Sequence, residues 1–99
     1  MSYRWERVTV SQVLSKAACN IGNVIVTPNG DSNNGNITLY NGESSGDPVV
    51  ITVRTGTGRT GQVVMSPPLL CDRGLYVVLG SHVDECLIQF ESLEDGARV

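Results

Sequence analysis

Residues 36–55, NITLYNGESSGDPVVITVRT, hold two short apolar segments, 36–40 and 49–55, on either side of a run of turn-forming residues. Within each segment apolar and polar side chains alternate, which is the period of a β-strand with one buried face. The Asn, Gly, Asp and Pro residues between them are those that turns require. The stretch therefore predicts two strands joined by a turn. The side chains expected to face a core are Ile37, Leu39, Val49, Ile51 and Val53.

The same pattern recurs on both sides of this stretch. Further strands are predicted at 3–10, 23–27, 62–65, 75–79 and 86–91, separated by breaks such as Pro67-Pro68 and Arg73-Gly74. The inward side chains of the last two strands would be Leu75, Val77, Leu79, Cys86, Ile88 and Phe90. Segment 11–18, SQVLSKAA, could instead form a helix of at most two turns, capped by Ser11 and with Val13, Leu14 and Ala17 on one face.

Seven short strands in 99 residues predict an all-β fold, an antiparallel β-sandwich of the jelly-roll or immunoglobulin-like type with seven or eight strands. The composition agrees with this prediction, because the β-branched residues that favour strands (14 Val, 5 Ile and 7 Thr) greatly outnumber Ala (3) and Lys (1), which are depleted in strands. We expect one domain over 1–99, with an N-terminal strand or arm over about 1–18 and a polar C-terminal tail at 92–99.

Charge and apolar content exclude several partners. The net charge is −3 and the seven basic residues are scattered singly, so no basic stripe is available to follow a nucleic-acid backbone. The N-terminus has no apolar core of a signal peptide, and no apolar run approaches the roughly 20 residues that span a bilayer. We expect synthesis in a cytoplasm and no membrane partner.

Three cysteines, Cys19, Cys71 and Cys86, are an odd number without a C-x-x-C pair. This argues against a disulfide framework and against a zinc knuckle. We expect all three to be reduced, small residues of the core, and we expect no metal or other cofactor.

Gly56-Thr57-Gly58-Arg59-Thr60-Gly61 matches the spacing of a dinucleotide-binding loop. Such a loop must open a helix whose N-terminal amides bind the pyrophosphate. Here a β-branched run and then two prolines follow, and the lysine of a phosphate-binding P-loop is absent. We interpret residues 55–61 as a mobile loop joining two strands, without nucleotide binding.

Three other groups of residues are weak candidates for a catalytic or ligand-binding site. The cluster SHVDEC at 81–86 is interpreted as a polar turn between strands, because a single histidine in the chain supports neither a two-histidine metal site nor a triad. Cys71 with His82 would be a nucleophile and base only if something lowered the thiol pKa, and only Arg73 is near in sequence. Tyr3 and Trp5 could stack sugars or bases, but packing against a core or a neighbour is the favoured interpretation. No catalytic residue is predicted.

Most of the chain, roughly residues 20–91, resembles the small all-β virion proteins encoded among the structural genes of tailed bacteriophages. The stretches that carry the resemblance are NVIVTPNG, GNITLYNGES, PVVITVRTGTG and SPPLLCDRGLYVVLGSHVDECLIQFE. They include an LYNG turn after a strand, a GLYV strand, and a closing strand that ends in Phe90. The resemblance implies a non-enzymatic assembly component, such as a capsid cement protein, a neck or tail piece, or a fibre-base module.

The sequence is accordingly interpreted as a virion structural protein, a cement or decoration protein that binds the major capsid protein as a homo-oligomer, with a trimer favoured. A neck, tail or baseplate component is the nearest alternative. A carbohydrate-binding module using Tyr3, Trp5 and Tyr40 is a further one. Because strand 75–79 is apolar on both faces, we expect a partner to cover its second face. The predicted interface residues are Tyr3, Arg4, Trp5, Arg7, Tyr76, Val78 and Arg98.

Overall fold

A computed structural model describes residues 3–28, 35–55 and 59–93 of the chain. Within these residues the chain forms eight strands, confirming the all-β prediction. They are β1 (Arg4–Val8), β2 (Gln12–Ser15), β3 (Cys19–Pro28), β4 (Asn36–Tyr40), β5 (Val49–Arg54), β6 (Gly61–Cys71), β7 (Leu75–Leu79) and β8 (Val83–Ser92).

The strands form two four-stranded antiparallel sheets, which we name sheet A, in the order β1-β8-β3-β6, and sheet B, in the order β2-β7-β4-β5. Each strand of the first half pairs with its mirror-image strand of the second half: β1 with β8, β2 with β7, β3 with β6 and β4 with β5. The chain is thus one long hairpin rolled into a sandwich. This is a jelly roll, the first of the two predicted types.

The core lies between the two sheets and is made of the alternate side chains that the sequence pattern indicated. Val24, Val26, Ile88 and Phe90 of sheet A meet Ile37, Leu39, Leu75 and Val77 of sheet B, all of them buried. Ile51 and Leu79 are half-buried and pack against this core. The predicted inward faces are confirmed for these strands.

Val49 is the exception, because it was predicted to face inward and is 57% exposed. A bulge lies at this point of the β4–β5 pairing: Leu39 is opposite Ile51, but Tyr40 is opposite Val49. The extra residue, Val50, packs against the core in its place. One inserted residue shifts the side-chain alternation, so Val49 lies on the outer face with Tyr40.

The short helix considered for 11–18 is wrong. Residues Gln12–Ser15 form β2, which pairs with β7 across a bulge, and the Ser11 hydroxyl accepts a hydrogen bond from the Leu79 amide instead of capping a helix. Two turns of helix are marginal in isolation, whereas the open edge of β7 offers a ladder of backbone partners. Tertiary pairing therefore decides the conformation of this segment.

Strand β6 is longer than predicted and passes through Pro67 and Pro68, which were interpreted as a break. Proline is tolerated there because β6 is the edge strand of sheet A and needs backbone partners on one side only. The pairing with β3 shifts register at this point, between the Ile21–Leu69 and Asn23–Val64 pairs. The prolines thus lie in an irregular stretch of a continuing strand.

Candidate interaction surface

The register of sheet A determines which side chains point away from the core. Directly opposite residues of antiparallel strands point to the same side of a sheet. Trp5 is opposite Gln89, Gln89 is opposite Asn23, and Asn23 is opposite Val64. Since the sequence neighbours of Gln89 belong to the core, this row crosses the outer face of all four strands.

A second row, Arg7, Leu87, Ile25 and Gln62, runs beside the first on the same side of the sheet. Leu70 joins them near the other end of β6, opposite Asn20. We call this surface the Trp5 face. Its apolar members are Trp5, Ile25, Val64, Leu70 and Leu87.

The Trp5 face carries three of the most exposed large apolar side chains in the described part of the protein. Trp5 is 46% exposed, Val64 65% and Leu70 56%. Polar pairs lie among and beside them: the Arg7 Nε donates to Glu85 Oε1 at 2.7 Å, and the Gln62 amide donates to Asn23 Oδ1 at 3.2 Å. An apolar surface with internally paired polar groups is suited to binding another protein.

Tyr3 and Arg4 lie beside this face, and each contacts a different part of sheet A. The Tyr3 ring lies over Gly22, where a Cβ would be 3.2 Å from its Cε2 atom. Partial burial there and the nearby Glu91 carboxylate raise the pKa of Tyr3. Arg4 is opposite Phe90 and its guanidinium carbon is 5.1 Å from that ring, on the core side of β1. Arg4 therefore covers the edge of the core rather than extending the Trp5 face.

The outer face of sheet B is a second, more aromatic surface, which we call the Tyr76 face. A row of Val13, Tyr76, Tyr40 and Val49 crosses its four strands, and Val78 is beside it, opposite Thr38. The centroids of the Tyr40 and Tyr76 rings are 5.9 Å apart and the ring planes are tilted by 45°, so the two rings pack against each other. Tyr76 and Val78 are only half-buried, and this is the face that was expected to need a partner.

The predicted interface residues are thus divided between two surfaces. Trp5 and Arg7 belong to the Trp5 face, and Tyr3 and Arg4 lie beside it. Tyr76 and Val78 belong to the Tyr76 face on the other side of the sandwich. Arg98 lies outside the described residues. The division also separates Trp5 from Tyr40, so the three aromatic residues considered for carbohydrate binding do not form one platform.

The candidate catalytic and metal-binding residues do not come together as a reactive site in the described residues. Cys71 ends β6 just before β7 begins, and His82 follows the end of β7, so a strand of about 17 Å separates them. His82 lies in the turn before β8, with φ of 70°. Across residues 3–28, 35–55 and 59–93, no three His, Cys, Asp or Glu side chains are grouped as metal ligands would be.

Part of the glycine-rich loop, residues 56–58, lies outside the described residues. Its flanks agree with the interpretation as a connection between strands: β5 ends at Arg54, and Gly61 begins β6 rather than a helix. The buried Thr55 fixes the end of β5, because its hydroxyl accepts from the Gly35 amide at 2.9 Å and its own amide donates to the Gly35 carbonyl.

No protein-family model matches the chain, and no curated protein or solved structure is significantly similar to it. In the described part of the chain, no helix is both long and apolar enough to cross a bilayer. Four apolar residues of the Trp5 face were not predicted as interface residues, namely Ile25, Val64, Leu70 and Leu87. The signal was present in Gln62-Val63-Val64-Met65, which is apolar on both faces in the same way as the strand that contains Tyr76.

Proposed function

We propose that this protein is a non-enzymatic structural component of a tailed-phage virion, a cement or decoration protein that binds the major capsid protein through its Trp5 face. The observation that carries the proposal is the group of exposed apolar side chains Trp5, Val64 and Leu70 on one outer sheet face. Jelly rolls occur in viral capsid domains, in lectins and in cupins, so the fold supports a virion role without requiring it.

Protein is the partner that this surface suits best. The face combines an aromatic ring with branched aliphatic side chains, which are typical of interface cores, with Leu87 and Ile25 on its two central strands. Its charged pair, Arg7 with Glu85, lies at one margin. Nucleic acid is disfavoured because the net charge is −3. The virion resemblance of residues 20–91 supports the choice of a capsid protein among possible protein partners.

The size of the face implies weak individual contacts. Strands of 5, 10, 10 and 11 residues, with a rise of about 3.4 Å per residue and a spacing of about 4.8 Å, span on the order of 600 Å². A stable one-to-one interface covers about 800 Å² on each partner. Tight attachment to a head would therefore need several faces acting together, as in a homo-oligomer, for which we favour a trimer.

The test compares two valines of almost equal exposure. Val64, 65% exposed, lies on the Trp5 face, and Val10, 63% exposed, lies in the connection between β1 and β2. We expect Val64→Asp to reduce co-sedimentation with phage heads lacking the protein by at least tenfold, because an unpaired carboxylate buried at an interface costs several kcal/mol. Val10→Asp should bind as the unmodified protein does.

Equal binding by both variants would show that the Trp5 face is not the contact. Binding of the unmodified protein to purified tails or necks, but not to heads, would replace the cement role by the alternative structural role. Failure to bind any particle component would overturn the virion proposal itself.

A further inference from the structure

Two buried thiols lie side by side at one end of sheet A, on the core side of the sheet and not on the Trp5 face. Cys19 begins β3, Cys71 ends β6, and the two residues are direct partners in the antiparallel pairing. Both side chains are fully buried and point to the core side of the sheet. The two thiols are close enough for each to shift the pKa of the other.

The Cα spacing of directly opposite strand residues is within the range of a disulfide. Directly opposite residues in antiparallel strands have Cα atoms about 4.5–5.5 Å apart. A disulfide joins Cα atoms about 4.4–6.8 Å apart, so no backbone displacement is needed to bring these two residues within range. Cys86, the third cysteine, is opposite Val8 and Val26 and so has no cysteine across the strands.

The two thiols of the pair differ in acidity. The hydrogen bond from Cys19 lowers the pKa of Cys71, because it stabilises the Cys71 thiolate. The same interaction, together with burial, raises the pKa of Cys19. Burial raises the pKa of Cys86 to about 12. Cys71 is therefore the sulfur best prepared to act as a nucleophile.

We propose that Cys19 and Cys71 are a redox-sensitive pair that closes to a disulfide when the protein meets a peroxide, fastening the edge strand β6 to β3. The Cys71 thiolate attacks one peroxide oxygen, the O–O bond breaks, and Cys71 becomes a sulfenic acid with release of one water after proton uptake. The Cys19 sulfur then attacks the Cys71 sulfur, the S–O bond breaks, and the departing hydroxide takes the Cys19 proton as a second water. Two thiols are oxidised by two electrons, and the peroxide is reduced to two waters.

Access to the buried pair comes from its place in the sheet. In the described part of the chain β6 is hydrogen-bonded to β3 alone, and Cys71 is followed directly by the exposed Asp72 and Arg73. Strand β6 can open locally by breaking its pairing with β3 alone, so a molecule as small as hydrogen peroxide has a route to the sulfurs that does not require global unfolding. The proposal does not depend on the capsid role, since it requires only the strand pairing and an oxidant.

The experiment treats the full reduced chain with hydrogen peroxide under native conditions and follows its intact mass. We expect a loss of two hydrogen atoms, reversed by dithiothreitol, with peptide mapping joining Cys19 to Cys71. The oxidised form should have a Tm higher by about 10 °C, because the bridge restricts the unfolded chain. Cys86→Ala should behave in the same way, whereas Cys19→Ala should not lose the two hydrogens.

A folded wild-type protein whose mass does not change in peroxide would overturn the proposal, as would a bridge that maps to Cys86 or an oxidised form with a lower Tm. The peptide map of the wild-type chain decides the matter even if Cys19→Ala does not fold.

Discussion

Gly74 is the residue at which the backbone leaves no room for a side chain. It follows the turn between β6 and β7, its φ is 141°, and a Cβ atom would lie 2.7 Å from the Ser15 carbonyl oxygen and 3.0 Å from that of Gly42. Both neighbours are backbone atoms, which cannot move aside as a flexible side chain can. The absence of a side chain at Gly74 therefore lets three segments approach closely at one end of the sandwich: the end of β2, the β4–β5 loop and the β6–β7 turn.

We expect Gly74→Ala to lower the free energy of unfolding by about 1–3 kcal/mol or more, the cost of forcing an L-residue into a disfavoured conformation. Gly46→Ala is the matched control: its Cβ would meet only the Ser44 hydroxyl, at 3.6 Å, and its φ is not in the left-handed region. That change should stay within about 0.5 kcal/mol of wild type. Urea denaturation measures both, and equal stability of the two variants would contradict the account.

Between elements, the loop that joins β4 to β5 is organised by one carboxylate. Asp47 accepts hydrogen bonds from the Glu43 amide at 2.8 Å and the Ser44 amide at 3.1 Å, and it pairs with the Arg73 guanidinium at 3.1 Å. Asn41 adds a second tie, because its amide donates to Asp72 and its carbonyl accepts from the Arg73 backbone. The β4–β5 loop is thereby attached to the turn that precedes β7.

The same contacts make the loop sensitive to acid. Hydrogen bonds from the Glu43 and Ser44 amides and the Arg73 charge lower the pKa of Asp47 below its unfolded value of about 3.9. The contribution of Asp47 to stability is therefore complete above that value and is lost as the pH falls through the lower folded pKa. We expect Asp47→Asn to reduce Tm at pH 7 and to flatten the decline of Tm below about pH 4.

Asp84→Asn, which removes a carboxylate from an exposed position of β8, is the control for net charge. It should leave the acid-induced decline of Tm as steep as in wild type. If the two asparagine variants lose Tm with acid in parallel, the Asp47 contacts do not determine the pH dependence.

The elements that could be predicted from sequence are those whose signals are local. Segments 36–40 and 75–79 were predicted with the bounds of β4 and β7, because alternation and turn residues both lie within a few positions of the strand ends. Strand β2 could not be predicted in this way, because its partner β7 is distant along the chain. The short apolar pattern of β2 is also compatible with a helix. The bulge that turns Val49 outward depends on a cross-strand register that no single segment specifies.

For the molecule as a whole, the sequence indicated an apolar outer surface but not how its members would be grouped. Trp5 and Tyr76 were expected in one interface, yet the rolled hairpin places their strands in different sheets. Val64 joins Trp5 only because β8 and β3 lie between their strands in sheet A. The contact between Cys19 and Cys71 has the same origin, as the two residues are far apart in the chain and meet through the β3–β6 pairing.

Two outer faces allow two contacts of different kinds in one small protein. If the Trp5 face binds the capsid, as proposed, the Tyr76 face remains available for contacts between copies of the chain. Its paired tyrosine rings form a stiff, amphipathic surface that loses little side-chain freedom on binding. An oligomer formed in this way would present several Trp5 faces to a head at once.

The Val78→Asp variant distinguishes the contact between copies from the contact with the capsid. Val78 lies on the outer side of β7, so the isolated fold should survive, which circular dichroism can check. A carboxylate without a partner at a contact between copies costs several kcal/mol, so light scattering should show an oligomer for the wild-type protein and a monomer for the variant. That monomer keeps its Trp5 face but loses avidity, and its binding to heads should fall by roughly 100-fold. Val64→Asp should do the reverse, leaving the oligomer intact while reducing head binding at least tenfold. A Val78→Asp protein of wild-type size that binds heads normally would place the contact between copies elsewhere, and a monomeric wild-type protein would remove the oligomer from the proposal.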